Sequence, residues 1–385
     1  MPPRKIAFVK CGSFSHINAS VEAQLRTQFP ECEVVTLDVA EKLRCSGLAL
    51  VCGLAQAAWY HGGKLRADPL DCALQTPTTF RFIQRWLARV VRAPEFLFTF
   101  QTQSMWDASV RGLPHFVYTD HTEQANRQYC DFDARNLQGE WWTKLETQIY
   151  DHAALTLTMS NHVRRSLLQD YGCPPSRALV VGAGSNAPVT ADAGPGSARY
   201  RRKEILFVGT DWARKGGPQL VAAFEKVRTT HPDARLKIVG CSPPLDVPGC
   251  EVRGRLSLNE VARAYADASV FCLPTRREPF GIVLIEAMLS GLAVVATDAG
   301  AVPDLVEDGV NGQRVALDDI EGLARALTYM LNNPEKLEAM GRNSARQAEA
   351  QHTWDQVGAR IRKAIEPLVP EWGRWSGTLE SACAS

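Results

Sequence analysis

Short apolar runs alternate along this chain with longer stretches in which apolar residues recur every three or four positions. In the first half the runs fall at 5–10, 33–37, 96–100, 114–118, 155–158 and 178–181, and in the second at 205–208, 235–239, 269–273 and 293–296. Each has the length of a strand buried on both faces. The periodic stretches predict helices at 18–29, 218–230, 258–266, 282–289, 320–332, 334–351 and 354–365. Strands alternating with helices imply an α/β fold, with parallel sheets covered by helices on both faces.

The alternation is interrupted once. Residues 186–200 (NAPVTADAGPGSARY) are rich in Ala, Gly, Pro and Ser and read as a linker. A chain of 385 residues is too long for one ordinary domain and suits two of roughly 180 residues. The expected division is a first domain over 1–185, the linker, a second over 201–365, and a tail over 366–385. Two doubly wound, Rossmann-like domains of this kind would face each other across a cleft. Ligands in such sheets bind at the carboxyl ends of the strands.

Composition narrows the function classes. A net charge of +1 gives no electrostatic reason to expect nucleic acid as a partner. The apolar run at 6–9 is far too short for a signal peptide or a spanning helix, and 47–60 is also too short to span. Eleven cysteines are scattered from Cys11 to Cys383 without C-x-x-C spacing, which reads as free buried thiols. Cytoplasm is the compartment to expect.

Two stretches carry candidate chemistry. In Glu278-Pro-Phe-Gly-Ile-Val-Leu-Ile-Glu286 two carboxylates stand eight residues apart around an apolar filler. Pro279 suits the first turn of a helix. Gly281 allows close approach of a ligand to the backbone, and exposed N–H groups at a helix start form an anion site. A buried carboxylate needs a partner, which a hydroxyl-rich ligand supplies. The second stretch, Phe207-Val-Gly-Thr-Asp-Trp-Ala-Arg-Lys-Gly-Gly217, ends a strand at Gly209 and presents Arg214 and Lys215 before two glycines. Taken alone it reads equally as a solvated basic loop. Beside the Glu278 stretch it reads as a diphosphate site.

With these residues the chain resembles the retaining nucleotide-sugar glycosyltransferases of family 4, which have the GT-B fold and an E-x7-E motif. The resemblance rests on FVGTDWARKGG, on LKIVG at 236–240 and on LPTRREPFGIVLIEAMLSGLAVVATDAGAVPDLVEDGVNG at 273–312. It covers most of the second domain. It implies that Arg214 and Lys215 hold the donor diphosphate and balance the charge that develops as it leaves. Glu278 would bind hydroxyls of the donor sugar, and Phe280, Gly281 and Ile282 would offer backbone N–H groups. Glu286 would bind the ribose hydroxyls, and Gly209 would lie in the donor site. Gly12 would sit against phosphates or acceptor, and His121 would approach the donor sugar. The base would lie in the segment 241–255, with Arg253 as a donor-binding residue. Donor and acceptor are then small molecules, with a sugar, lipid or metabolite as acceptor and UDP as the commonest nucleotide. Ala299-Gly300 and Pro303-Asp304 stand where the family often has paired glycines and Pro-Glu. An epimerase of the same fold, or a non-catalytic nucleotide-sugar-binding protein, is the alternative.

The remaining candidates have two readings each. His121 follows a strand end and is either a site residue or a histidine satisfied by nearby backbone. Asp120 would then cap the next helix. Asp131-Phe-Asp133 has the D-x-D form of a metal site, but no strand precedes it, so it reads as a solvated or capping pair. No other acid or histidine cluster has metal spacing, and neither a metal nor another cofactor is expected. Residues 80–92 (FRFIQRWLARVVR) predict a basic amphipathic helix, with Arg81, Arg85, Arg89 and Arg92 on one face and Phe82, Trp86 and Val90 on another. It reads as a packed helix with a charged outer face, or as a contact with an anionic membrane or charged acceptor. Trp141-Trp142 reads as core rather than sugar platform.

Overall fold

The computed structural model describes residues 4–14, 16–60, 73–130, 140–186 and 198–369. The chain divides into two compact units. One runs to Arg127, includes the stretch up to Val181, and takes in the chain again from Val357; the other holds Gln128–Phe132 and Gly182–Gln356.

The first unit contains β1 (Arg4–Lys10), α1 (Ile17–Gln28), β2 (Cys32–Asp38), α2 (Val39–Arg44), α3 (Gly47–Tyr60), α4 (Pro77–Val90), β3 (Phe96–Thr102), β4 (His115–Thr119), α5 (Glu123–Arg127), α6 (Glu140–His152), β5 (Leu155–Thr158), α7 (Asn161–Gln169) and β6 (Ala178–Val180). Its sheet has the order β2-β1-β3-β4-β5-β6, and its strand pairs are parallel. The strand order reverses between β1 and β3, so loops leaving these two strands flank the crevice where such sheets bind ligands. Strands β3, β4 and β5 are buried at every position. This is why apolar and β-branched residues dominate all three, with Gln101 and His115 as the exceptions.

The second unit contains β7 (Glu204–Val208), α8 (Gly217–Thr230), β8 (Arg235–Val239), β9 (Cys250–Gly254), α9 (Leu258–Asp267), β10 (Val270–Leu273), α10 (Ile282–Leu289), β11 (Ala293–Thr297), α11 (Val302–Leu305), β12 (Gly312–Val315), α12 (Ile320–Asn332) and α13 (Pro334–Gln351), and α14 (Trp354–Ile365) begins in it. Its order is β12-β11-β10-β7-β8-β9, again parallel. Counted from β7 this is the 3-2-1-4-5-6 order of a dinucleotide-binding sheet, with its switch point between β7 and β10.

Several expectations need correction. The last helix was expected in the second domain, but from Val357 it packs on the first. Val357, Ile361 and Ile365 are buried there. Arg360 donates to the Val181 carbonyl at 2.9 Å, and Arg362 lies over the Phe29 ring at 5.2 Å and bonds the Gln28 carbonyl. Most of the 186–200 linker, most of the 366–385 tail, and Asp131 and Asp133 lie outside the described residues. Strands β9 and β12 were not anticipated. Both are sheet edges, and β9 alternates half-buried and exposed residues instead of forming an apolar run. Buried cysteines were expected throughout; Cys173 and Cys272 are buried, whereas Cys45, Cys52 and Cys130 are exposed.

On α4 the buried stripe is Phe80, Ile83 and Leu87, with Phe82 and Trp86 half-buried against the same core. Val90, expected on the apolar face, is exposed. Trp142 is core, while Trp141 stacks on Tyr60 with ring centres 4.7 Å apart.

Candidate active site

The loops leaving β7 and β10 meet at the switch point of the second sheet. The Arg276 N–H donates to the Arg214 carbonyl at 2.8 Å, and the Arg214 guanidinium donates to the Arg277 carbonyl at 2.9 Å. A Cβ at Gly216, whose φ is 76°, would stand 1.8 Å from the Pro274 carbonyl oxygen. No side chain fits there, so Gly216, the cap of α8, lets the loops touch. The second glycine, Gly217, lies against the Trp212 ring.

The loops are also joined by charge. Lys215 Nζ bonds Glu278 Oε2 at 2.5 Å, and both side chains are nearly buried, at 11% and 5% exposure. Arg214 is paired with Asp211 at 3.1 Å. Both expected cations therefore arrive already held by protein partners. Gly209 lies beneath Lys215, where a Cβ would come 3.2 Å from Lys215 Cγ.

Helix α10 starts at Ile282, as the apolar filler predicts, with Gly281 as its cap at φ 95°. Pro279 precedes the helix instead of occupying its first turn, because the left-handed Gly281 turns the chain in between. Phe280 is buried and Ile282 half-buried. Glu286, on the second turn, accepts from the Tyr265 hydroxyl at 3.0 Å. Burial and the Glu286 charge push the Tyr265 hydroxyl well up, so it stays a proton donor. The carbonyl of Glu278 accepts from the Ala301 N–H at 3.0 Å, and a Cβ at Gly300 would stand 2.1 Å from that oxygen. Hence Gly300, the second residue of the Ala299-Gly300 pair, has to lack a side chain.

Arg253 is not part of this arrangement. It lies on the edge strand β9, exposed, and pairs with Glu251 at 2.8 Å. The segment expected to hold a base is partly β9 itself, so only 241–249 is loop at the carboxyl end of β8.

Gly12 and His121 belong to the first unit. Gly12 follows β1 at φ 55°. Its carbonyl accepts from the buried Asn18 amide at 2.8 Å, and Asn18 in turn accepts from Thr102 at the end of β3, at 2.7 Å. Asn18 thus ties the two sides of that sheet's switch point. His121 follows β4, with its Nδ1 2.7 Å from Asp120 Oδ1. Asp120 therefore orients His121, and Thr122 accepts from the Ala125 N–H to cap α5 instead. Burial pulls the His121 imidazolium down. The Asp120 carboxylate overrides this, together with Glu146 and Glu123, and raises His121 to about 9. Glu146 is fully buried. It accepts from Ser104, Tyr150, Tyr171 and the Glu123 N–H. Nothing in the local sequence marks Asn18, Tyr265 or Glu146, because each has a decisive partner far along the chain: Thr102 for Asn18, Glu286 for Tyr265 and Tyr171 for Glu146.

Comparison with known proteins bears on the second unit. Residues 202–333 match the family described as glycosyl transferases group 1. The matched residues include Arg214, Lys215, Glu278 and Glu286. Over 224 residues the chain is 34% identical to a phosphatidyl-myo-inositol mannosyltransferase of Mycolicibacterium smegmatis, covering 55% of this chain and 57% of that protein. The chain spans 57–60% of the length of the curated relatives it matches first. Sucrose-phosphate synthase of Thermosynechococcus elongatus shares the fold at a TM-score of 0.67, with 18% identity over 95% of this chain and 99% of that one. So does the Anabaena protein HepE in complex with UDP and glucose, at 0.62, with 13% identity over 94% and 99%. The two units have the GT-B fold of two Rossmann-like domains.

Removing one member of the Lys215–Glu278 pair leaves an uncompensated buried charge, which costs about 3–5 kcal/mol, whereas replacing both can be neutral. Lys215→Met and Glu278→Leu should therefore each lower the melting temperature, and the double variant should recover most of the loss. Additive losses in calorimetry would show that the two groups do not compensate each other.

Because His121 lies above its ordinary value of 6.5 in the folded protein, its stabilising share is complete below about pH 6.5 and is lost as pH rises through about 9. An NMR titration of its imidazole should show that raised midpoint, and Asp120→Asn should lower it. A midpoint near 6.5 in the unaltered protein would contradict the Asp120 pairing.

Proposed function

We propose that the chain is a retaining glycosyltransferase that moves a sugar from a nucleoside diphosphate sugar, with UDP as the nucleotide, to an acceptor hydroxyl. The observation that carries this reading is the meeting of Lys215, Glu278 and the start of α10 at the switch point of the second sheet. A cation, a carboxylate and free backbone N–H groups at one crevice suit diphosphate, sugar hydroxyls and ribose together. The group 1 match over the same residues supports it. So do a mannosyltransferase among the relatives and a fold neighbour that binds UDP and glucose.

In this reading Lys215 and Arg214 neutralise the departing diphosphate, aided by the N–H groups near Gly281. Glu278 does two things: it orients Lys215 and accepts from sugar hydroxyls. Glu286, held by Tyr265, accepts from the ribose. No side chain here is placed as a covalent nucleophile. The bond from the anomeric carbon to the diphosphate oxygen breaks, the bond to the acceptor oxygen forms on the same face, and the acceptor proton passes to the leaving phosphate oxygen. The rate gain comes from orientation and from preorganised charge. With these cations in place the reaction needs no metal or other cofactor. The roles of Gly12 and His121 rest on the resemblance.

Incubation of a panel of nucleotide sugars with a panel of sugar, lipid and polyol acceptors in EDTA should give turnover, and the glycoside's anomeric configuration by NMR should match the donor's. An inverted product would overturn retention, and activity restored only by manganese would return Asp131 and Asp133 to consideration as ligands.

The two acids should fail differently. Glu286→Gln should weaken UDP binding by about tenfold, since a charge-assisted contact is worth about 1.5–3 kcal/mol and glutamine keeps one acceptor. Glu278→Gln should bind UDP as well or better, because it unmasks Lys215, yet lose turnover. Calorimetric titration decides, and equal weakening of both would refute the division.

A further inference from the structure

Helix α3 is apolar on both its inner and its outer face. Inward it sets Gly53, where a Cβ would stand 2.5 Å from Thr79 Oγ1, and Ala57, with Leu50 and Leu54 half-buried against the core. Its other bulky residues face solvent. Leu48 is 81% exposed, Val51 63% and Trp59 84%, and Ala55 is also exposed. These positions recur at helical spacing along one face, and the helix carries no charged residue. Soluble helices bury such a stripe, and contiguous exposed apolar faces mark interaction sites.

The neighbouring helix supplies the complementary chemistry. Arg81, Arg85 and Arg89 stand on the exposed side of α4, and neither α3 nor α4 has an acidic residue. A hollow of about 490 Å³ lies between the helices, with Leu48 and Cys52 on one wall and Arg81 and Arg85 on the other. Among the described residues no helix is long and apolar enough to cross a membrane. An apolar helix face beside a row of guanidinium groups fits the boundary between acyl chains and anionic headgroups.

We propose that the outer face of α3, flanked by the arginines of α4, docks the first unit on an anionic lipid bilayer, with α3 lying in the plane of the interface. Leu48, Val51 and Trp59 enter the acyl boundary, and Arg81, Arg85 and Arg89 meet the phosphates.

The test is co-sedimentation of the full chain with phosphatidylcholine vesicles, with and without phosphatidylglycerol. The chain should bind the phosphatidylglycerol vesicles, release at high salt, and bind phosphatidylcholine alone weakly. Each arginine near an anionic surface contributes about 1 kcal/mol, so Arg81→Gln/Arg85→Gln/Arg89→Gln should weaken binding about a hundredfold. Leu48→Glu/Val51→Glu should weaken it by at least about tenfold. A blue shift of tryptophan fluorescence on binding should shrink in Trp59→Phe. All these positions are exposed, so melting temperatures should match the unaltered chain. Absence of binding to phosphatidylglycerol vesicles, or unchanged binding by the arginine variant, would overturn the proposal. So would a dimer in sedimentation velocity that Leu48→Glu/Val51→Glu converts to monomer while vesicle binding persists, since α3 would then face a second copy.

Discussion

The second unit depends on one buried ion pair, Lys215 with Glu278. Taking both charges out of water costs several kcal/mol each, which their attraction offsets only in good geometry. Here the geometry is fixed by the backbone. Gly216 lets the two loops touch, the Arg276 N–H bonds across them, and Gly300 lets the next turn press on the Glu278 carbonyl. The pair in turn keeps a cation and a carboxylate at the switch point before any ligand arrives. A site whose charges already hold one another needs little rearrangement when an anionic ligand displaces part of the contact.

The first unit uses charge differently. Its buried acid, Glu146, is satisfied mainly by hydroxyls and one backbone N–H. Burial raises its carboxyl despite those bonds, Tyr171 first among them. His121 sits near this acid and is tethered to Asp120. The unit therefore holds a raised imidazolium where the second holds a fixed lysine. On the outside its α3 and α4 divide apolar and basic character between two neighbouring helices, so that neither alone shows the combined surface.

How much of this was legible in the sequence follows from where each signal is stored. Buried parallel strands such as β10 and β11 write themselves as short apolar runs, and α10 through its apolar filler. The edge strands β9 and β12 were hidden because polar residues fill their less covered positions, Glu251 and Arg253 in one and Gln313 and Arg314 in the other. Glu278, Glu286, Arg214 and Lys215 were visible as local patterns, but the Lys215–Glu278 bond spans 63 positions and no window contains it. Tyr265, Asn18 and Glu146 were invisible because their contacts with Glu286, Thr102 and Tyr171 are also non-local. Arg253 lies on an edge strand, and a charged residue on an edge strand and one in a pocket look alike in sequence. The α3 stripe was noticed only as an apolar stretch, because sequence does not say which side of a helix its neighbours cover.

The return of α14 to the first unit sets an order of events during synthesis. Val357, Ile361 and Ile365 complete that unit's surface, yet about 175 residues separate them from Val181. At ribosomal speeds of 5–20 residues per second, that interval is roughly 10–35 s. During it the segment begun first waits for its last helix, while the segment begun second emerges nearly whole. The nascent chain therefore closes in the reverse of the order in which it is made.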